Sequence, residues 1–390
     1  MWACRLLATL FALLFAALLA GCAIQPAAPV VVDHLFDDAA FAPTQQHIDA
    51  STLLSLSPPM LAYLRENIVP ATRWQNARAA LIGALYTRSQ LQLRYDAELT
   101  RTPIEAFEAR AGNCLSLVLM TAAFAREMGL PLRFQSVPID EEWSREGDLL
   151  TFVGHVNIAL GGSTERLRLG AVQEDWLTVD FLPGVNLRHQ RSWPIDEARV
   201  LSMYMNNKAA ESLAQRRVDE AYWWAREAVL QDPSFGLALN TLGVVYLRHG
   251  QPARAETALR QALLDDADNP HPLNNLVLAL TQQGRDADAR VAAQRVQQLL
   301  TSTPYGHFEL GQQALRRDEL ALARQHFEKA LRQGGDHHEF HFALARVLAQ
   351  QGEIAAAQRE LELARQHSGT TGLKALYAGK LQRLREQLVH

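Results

Sequence analysis

The sequence predicts an α+β domain, with helices plus a small antiparallel sheet, followed by an all-α superhelix of repeats. Between residues 51 and 200, helical apolar spacing gives way to short β-prone runs. From residue 202 onward, small residues recur at a 34-residue period. We therefore expect five segments: a leader at 1–21, a flexible tether at 22–50, the α+β domain at 51–200, five repeats at 202–371 and a capping helix at 372–390.

The composition is that of an ordinary globular protein and excludes few functions. The 390 residues are 48% hydrophobic and 21% charged, enough for two or three domains with sizeable cores. A formal net charge of −4 gives no reason to expect nucleic acid as a partner.

The N-terminus has the pattern of a secretory leader. Arg5 precedes an apolar stretch at 6–20, which has the length of a signal-peptide core and is short for a membrane span. The following LAGC at 19–22 resembles the lipobox of bacterial lipoproteins. This resemblance implies cleavage before Cys22, a lipid on Cys22 and an extracytoplasmic, membrane-anchored protein. Ala23 then favours the periplasmic face of the outer membrane if the host is Gram-negative. An uncleaved anchor helix and a plain signal peptide are the alternatives.

The cysteine count makes Cys114 unusual. Cys4 leaves with the leader and Cys22 carries the lipid, so Cys114 is the only free thiol of the mature chain. A lone thiol in an oxidising compartment is a liability unless it is buried or used.

The α+β domain begins with helices and continues with strands. Helical patterns start at Pro58, recur within 74–95 and cover 115–128, where Gly129 ends the last one. Four β-prone runs then predict the antiparallel sheet: LRFQSVPI, LTFVGHVNIALGG, ERLRLGAV and WLTVDFLPG.

The repeats are visible as three columns of small residues, which allow two helices to approach closely. The columns are Ala221, Ala255, Ala289, Ala323 and Ala357; Ala228, Ala262, Val296, Ala330 and Ala364; and Ala209, Gly243, Val277, Gly311 and Ala345. Period and columns resemble tetratricopeptide repeats, although the proline expected near each repeat's end survives clearly only as Pro233. The resemblance implies that a partner protein binds on the concave face of the array.

A candidate nucleophile precedes the third helical pattern. Gly112 and Asn113 provide a tight entry, and Cys114 falls in the first turn, where the helix dipole and free N–H groups lower a thiol pKa. His155 and Asp180 lie on later strands, and adjacent strands would bring the aspartate to the far nitrogen of the imidazole.

The order Cys, His, Asp over residues 90 to 185 resembles the transglutaminase-like cysteine fold, a relative of papain-like proteases. The resemblance implies a catalytic triad of Cys114, His155 and Asp180. It also implies an upstream side chain near the oxyanion, for which Tyr95 is the candidate, with Gln92 behind it.

Each of these residues also has a structural interpretation. A cysteine on a helix is usually a small core residue, and a histidine on a strand is usually a hydrogen-bonded core or rim residue. Asp180 could cap the turn that follows its strand, and Asp175 could be the residue that orients the imidazole.

Two functions follow. The first is a thiol enzyme that acts on amide bonds of peptides or proteins through a thioester, either as a peptidase or amidase with water or as a transamidase with an amine. The alternative is a catalytically inactive, lipid-anchored scaffold whose repeats mediate protein–protein interaction. Neither needs a cofactor or a metal, and the histidines at 337, 338 and 341 are interpreted as solvated repeat surface.

Overall fold

The computed structural model describes most of the chain after residue 31. The described residues are 32–44, 48–86, 91–96, 99–137, 143–146, 149–152, 155–162, 176–181, 192–335, 337–368 and 371–386. The chain divides into two compact units, Met1–His34 and Leu35–His390. The leader with Cys22, Asp175 and the β-prone run at 165–172 lie outside the described residues. No helix in the described ranges has both the length and the apolar character that a membrane span requires.

Before the sheet, the described chain contains α1 to α4 and several short turns. The helices are α1 Pro58–Tyr63, α2 Ala77–Tyr86, α3 Pro103–Ala109 and α4 Cys114–Glu127. The turns are Asp33–Leu35, Asp38–Ala40, Ala50–Leu54, Leu64–Ile68 and Pro70–Arg73. Residues 114 to 125 of α4 are all buried, so this helix forms the centre of the local core.

The predicted small antiparallel sheet is confirmed. It has the order β7-β6-β3-β8. Its strands are β3 Leu132–Val137, β6 His155–Gly161, β7 Trp176–Val179 and β8 Trp193–Ile195. Every residue of β6 is buried, so both faces of this central strand are covered. A separate hairpin joins β4 Trp143–Glu146 to β5 Leu149–Phe152.

The helical pattern predicted within 74–95 ends earlier than expected. After α2 the chain folds back, and the amides of Leu91 and Leu93 donate to the carbonyls of Ala84 and Leu85. Tyr95 is therefore in a strand: β1 Arg94–Tyr95 pairs in parallel with β2 Ala111–Gly112.

From residue 197 onward, the described part of the chain is helical and contains five helix pairs and a final helix. The pairs are α5 Glu197–Ala214 with α6 Val218–Gln231, α7 Gly236–Arg248 with α8 Pro252–Ala262, α9 Pro270–Gln282 with α10 Asp286–Ser302, α11 Pro304–Arg316 with α12 Leu320–Gly334, and α13 His338–Gln350 with α14 Ile354–His367; α15 is Thr371–Glu386. Each helix packs mainly on its neighbours in sequence.

The columns of small residues lie where the helices of a pair meet. A Cβ added at Gly243 would come within 2.6 Å of Leu259, and one at Gly311 within 2.5 Å of Phe327. The alanine column of the second helices, which includes Ala255 and Ala323, is buried throughout. The spacing of small residues thus sets how closely the two helices of a pair approach.

The structure differs from the predicted tether over part of its length. Residues 35–42 lie against α6, α7 and α8, because Phe41 stacks on Tyr222 and the Leu35 carbonyl accepts a hydrogen bond from Tyr246. Contacts between residues this distant in sequence cannot be read from local composition.

Candidate functional site

The antiparallel sheet brings His155 and Asp180 together. His155 is the first residue of β6, and Asp180 directly follows the end of β7. Since these strands run antiparallel, the end of β7 lies beside the beginning of β6. The Nε2 atom of His155 lies 2.8 Å from Oδ1 and 2.7 Å from Oδ2 of Asp180. Both side chains are buried, so the pair is shielded from water.

Cys114 reaches the same site from the N-terminus of α4. Asn113 is the N-cap, and its Oδ1 accepts hydrogen bonds from the Ser116 amide and hydroxyl. Gly112 must be glycine, because an added Cβ would lie 2.8 Å from the Ser116 Cβ. The Cys114 side chain lies beside His155 and contributes to the raised pKa of its imidazole. Since Nε2 faces the carboxylate, Nδ1 is the ring nitrogen left for the thiol.

The surroundings of His155 favour its charged form. Burial alone lowers the pKa of the imidazole, but its hydrogen bonds to Asp180 and Cys114, together with the charges of both groups, outweigh burial and raise its pKa to about 9. At neutral pH the ring is therefore protonated and lies between a carboxylate and a sulfur. This is the arrangement that stabilises a thiolate.

Asn157 is a further polar member of the site that the sequence analysis missed. Its Nδ2 donates to Asp180 Oδ2 at 3.3 Å. Because Asn157 is two residues after His155 on β6, both side chains lie on one face of the strand. That alternation in GHVNIAL was the available signal. Asn157 helps to fix the carboxylate that orients the imidazole.

The N-cap of α4 is connected to the first repeat helix through Thr100. Asn113 Nδ2 donates to the Thr100 hydroxyl at 2.9 Å. The Thr100 amide donates to Glu211 Oε1 at 2.7 Å, and its carbonyl accepts from Lys208 Nζ at 3.4 Å. Lys208 and Glu211 both belong to α5. The residue before the thiol is thus held in part from the repeat array.

The remaining predicted site residues are placed differently. Tyr95 is half-buried, and its backbone pairs with Gly112, two residues before Cys114. Gln92 is exposed and adopts a φ of 50°. The structure therefore brings Cys114, His155 and Asp180 together, places Tyr95 on the neighbouring strand and leaves Gln92 on the surface.

The interpretation of the histidine cluster as solvated surface is wrong for His341. This side chain is 5% exposed, and its Nδ1 lies 2.7 Å from Glu360 Oε2. The Nδ1 of His338 lies 2.9 Å from the Tyr377 hydroxyl. These contacts join neighbouring helices at the C-terminal end of the array. Across the described ranges, no cluster of three or more His, Cys, Asp or Glu side chains has a geometry that could hold a metal.

Residues 240–304 and 308–369 match the family model for the tetratricopeptide repeat. The match falls on the second to fifth helix pairs, α7 to α14, and confirms that these pairs are tetratricopeptide repeats. Such repeats generally bind partner proteins or peptides.

One relative and two solved structures extend this likeness. The type IV pilus assembly protein PilF of Pseudomonas aeruginosa is 30% identical over 166 residues, which are 41% of this chain and 65% of that protein. This chain thus spans less than two thirds of that relative. The solved structure of Pseudomonas aeruginosa pilF is 27% identical with a TM-score of 0.29, covering 49% of this chain and 86% of that one. YrrB, described as a repeat protein with an unusual peptide-binding site, is 20% identical with a TM-score of 0.26, covering 46% and 92%.

Proposed function

We propose that the protein is a scaffold whose tetratricopeptide repeats bind a partner protein. The observation that carries this proposal is the repeat match at residues 240–304 and 308–369, which falls on four helix pairs. A stack of such pairs presents an extended surface on which a partner segment can lie. The relative PilF is named for the assembly of a type IV pilus, which supports a role in assembling a larger structure. The lipid that the motif at 19–22 implies would hold the scaffold at a membrane.

Site-specific photo-crosslinking in the native host tests the scaffold role. A photoreactive residue at Leu278, which is exposed on α9, should give one discrete adduct with a partner protein. The matched control is Trp74, which is 90% exposed and lies outside the repeats. Equal adducts at both positions would contradict the proposal. So would the lack of any adduct at Leu278 and at Val291, an exposed residue of α10.

A second function, thiol catalysis, is favoured by one specific observation: Cys114 lies beside His155, whose other ring nitrogen is hydrogen-bonded to Asp180. The resemblance to the transglutaminase-like fold supports the same proposal. The Cys114 thiolate attacks the carbonyl carbon of an amide, and the oxygen takes the negative charge near the N–H groups that open α4. The C–N bond then breaks, and Nδ1 of the His155 imidazolium gives its proton to the departing amine.

The acyl group now forms a thioester with Cys114, and His155 is neutral. A water molecule gives a proton to Nδ1 and attacks the thioester carbon, which releases a carboxylic acid and restores the thiol site. An amine in place of water gives a new amide by the same steps. Throughout, Asp180 holds the Nε2–H and stabilises the imidazolium.

Alkylation by iodoacetamide tests the thiol site. At pH 6 wild-type Cys114 should react about 10- to 100-fold faster than in His155→Ala, because the charged imidazole of His155 beside the sulfur makes it a better nucleophile. His367→Ala, which removes an exposed histidine of α14, should not change the rate. Equal rates in wild type and His155→Ala would mean that Cys114 is a structural residue. The scaffold role would then be the remaining proposal.

A further inference from the structure

Residues 35–42, LFDDAAFA, form a segment that is bound to the surface of the first two repeats. We call them the docked segment. The side chains that receive it come mainly from the second helices of these repeats. They form what we call the docking groove: Asp219, Tyr222, Trp223, Arg226, Tyr246 and Arg254.

Side chains of the groove bind the backbone at the start of the docked segment. The Tyr246 hydroxyl donates to the Leu35 carbonyl at 2.7 Å. The Asp37 amide donates to the Tyr222 hydroxyl at 2.8 Å. Side chains that hydrogen-bond the backbone amides and carbonyls of an extended segment are typical of peptide-binding sites.

The end of the docked segment is held equally well. The Ala42 amide donates to Asp219 Oδ1 at 3.2 Å, and the Ala42 carbonyl accepts from Trp223 Nε1 at 2.7 Å. Trp223 is therefore a contact residue of the groove, while the adjacent Trp224 is buried and packs near Tyr204.

Phe41 is the main apolar anchor of the docked segment. Its ring stacks on Tyr222 with a centroid distance of 3.9 Å and an interplanar angle of 3°. Tyr246 and His249 close the pocket, with ring centroids 5.8 and 4.2 Å from that of Phe41. Phe41 is only 5% exposed, as buried as a core residue. Stacked aromatic anchors of this kind dominate peptide recognition.

Two acids of the docked segment face the cations of the groove. Asp38 Oδ1 accepts from Arg226 Nε at 3.0 Å and from the Tyr222 hydroxyl at 2.6 Å. Arg254 lies 3.5 Å from the carboxylate of Asp37. Burial, together with the hydrogen bond to Asp38, raises the pKa of the Tyr222 phenol. The groove thus recognises acid groups at fixed positions relative to the aromatic anchor.

We propose that the docking groove is a peptide-binding site, occupied in cis by the docked segment, whose ligand in trans is an acidic peptide of a partner protein with the same pattern. That pattern is two adjacent acids and an aromatic residue three positions after the second acid. Because a tethered segment has an effective concentration on the order of millimolar, a free peptide gains access only when the segment leaves. The groove lies on α6 to α8, whereas the scaffold role is probed on α9, so each proposal can fail without the other.

Binding of a labelled peptide to the full chain tests this assignment. The probe is a fluorescein-labelled peptide with the sequence of residues 33–43. Its binding is measured by fluorescence anisotropy. The double variant Asp38→Ala/Phe41→Ala weakens the docked segment and leaves the groove intact. It should bind the probe about tenfold or more tightly than wild type. Adding Arg226→Ala to this variant should abolish the gain, and a peptide with the same two alanines should not bind.

A second form of the binding experiment changes neither the docked segment nor the docking groove. A specific protease site is placed at residues 45–47, and the probe should exchange into the groove only after the chain is cut. Equal binding before and after the cut, or binding that survives Arg226→Ala, would overturn the proposal. A wild-type dimer that Phe41→Ala converts to a monomer would assign the groove to a second copy of this chain and overturn the partner peptide.

Discussion

The thiol site and the repeat array differ in how far apart in the sequence their contacting residues lie. In the array, each helix packs on its neighbours in sequence, and small residues such as Gly243 and Gly311 recur where paired helices meet. In the thiol site, Cys114, His155 and Asp180 come from a helix start, a strand start and a strand end. Packing in the array is local and uniform, whereas the site depends on sheet register and on charges held out of water. The stability of the two regions should therefore respond differently to pH and to added side-chain volume.

The largest expected difference concerns pH. In the folded chain the pKa of His155 is raised to about 9, against about 6.5 in the unfolded chain. Its contribution to stability is fully present below pH 6.5 and is lost as the pH rises through 9. The shift corresponds to about 3 kcal/mol. Asp180→Asn should remove most of it, so the difference in free energy of unfolding between wild type and Asp180→Asn should shrink from pH 6 to pH 10.

Urea unfolding across this pH range measures the effect. Groups far from Asp180 titrate equally in both chains, so they cancel in the difference. A constant difference from pH 6 to pH 10 would mean that the imidazole is not charged in the folded protein.

In the array, side-chain volume should affect stability more than charge does. Gly311→Ala places a Cβ 2.5 Å from the buried ring of Phe327, and such overpacking should cost about 1–2 kcal/mol after the gain in helix propensity. Gly379→Ala is the matched control, because nothing lies within 4 Å of its Cβ on α15. That change should stabilise the chain by up to about 1 kcal/mol. Thermal unfolding should show shifts of opposite sign, and equal shifts would contradict the close approach of α11 and α12.

The smallest expected effect compares two helix caps. Asn113→Ala removes the buried cap of α4 and the hydrogen bond to Thr100, while Thr303→Ala removes the exposed cap of α11, which accepts from Gly306. The first should cost about 1 kcal/mol more than the second, because it also leaves a buried hydroxyl without its donor. Denaturant midpoints at constant slope measure both. Equal costs would mean that the network around Thr100 adds no stability.

Periodicity explains how much could be predicted. The 34-residue columns lead directly to the helix pairs, because each small residue acts within one repeat and its neighbour. The strand that carries His155 could also be predicted, since β-prone runs are a local signal for strands. The roles of Asn157 and Thr100 were not, because they arise from sheet register and from contacts over more than 100 residues. The docked segment was read as a tether for the same reason: Phe41 and Tyr222 are far apart in the sequence.

The link through Thr100 bears on how the two regions can be separated. A boundary near residue 200 looks natural, since the sheet ends at Ile195 and α5 begins at Glu197. Glu211 and Lys208 lie beyond that boundary, yet they hold the amide and carbonyl of Thr100. A fragment cut there would keep all three residues of the thiol site and lose the support of the helix cap beside Cys114. The first repeat helix therefore belongs to both regions, and neither can be exchanged for another module as an intact piece.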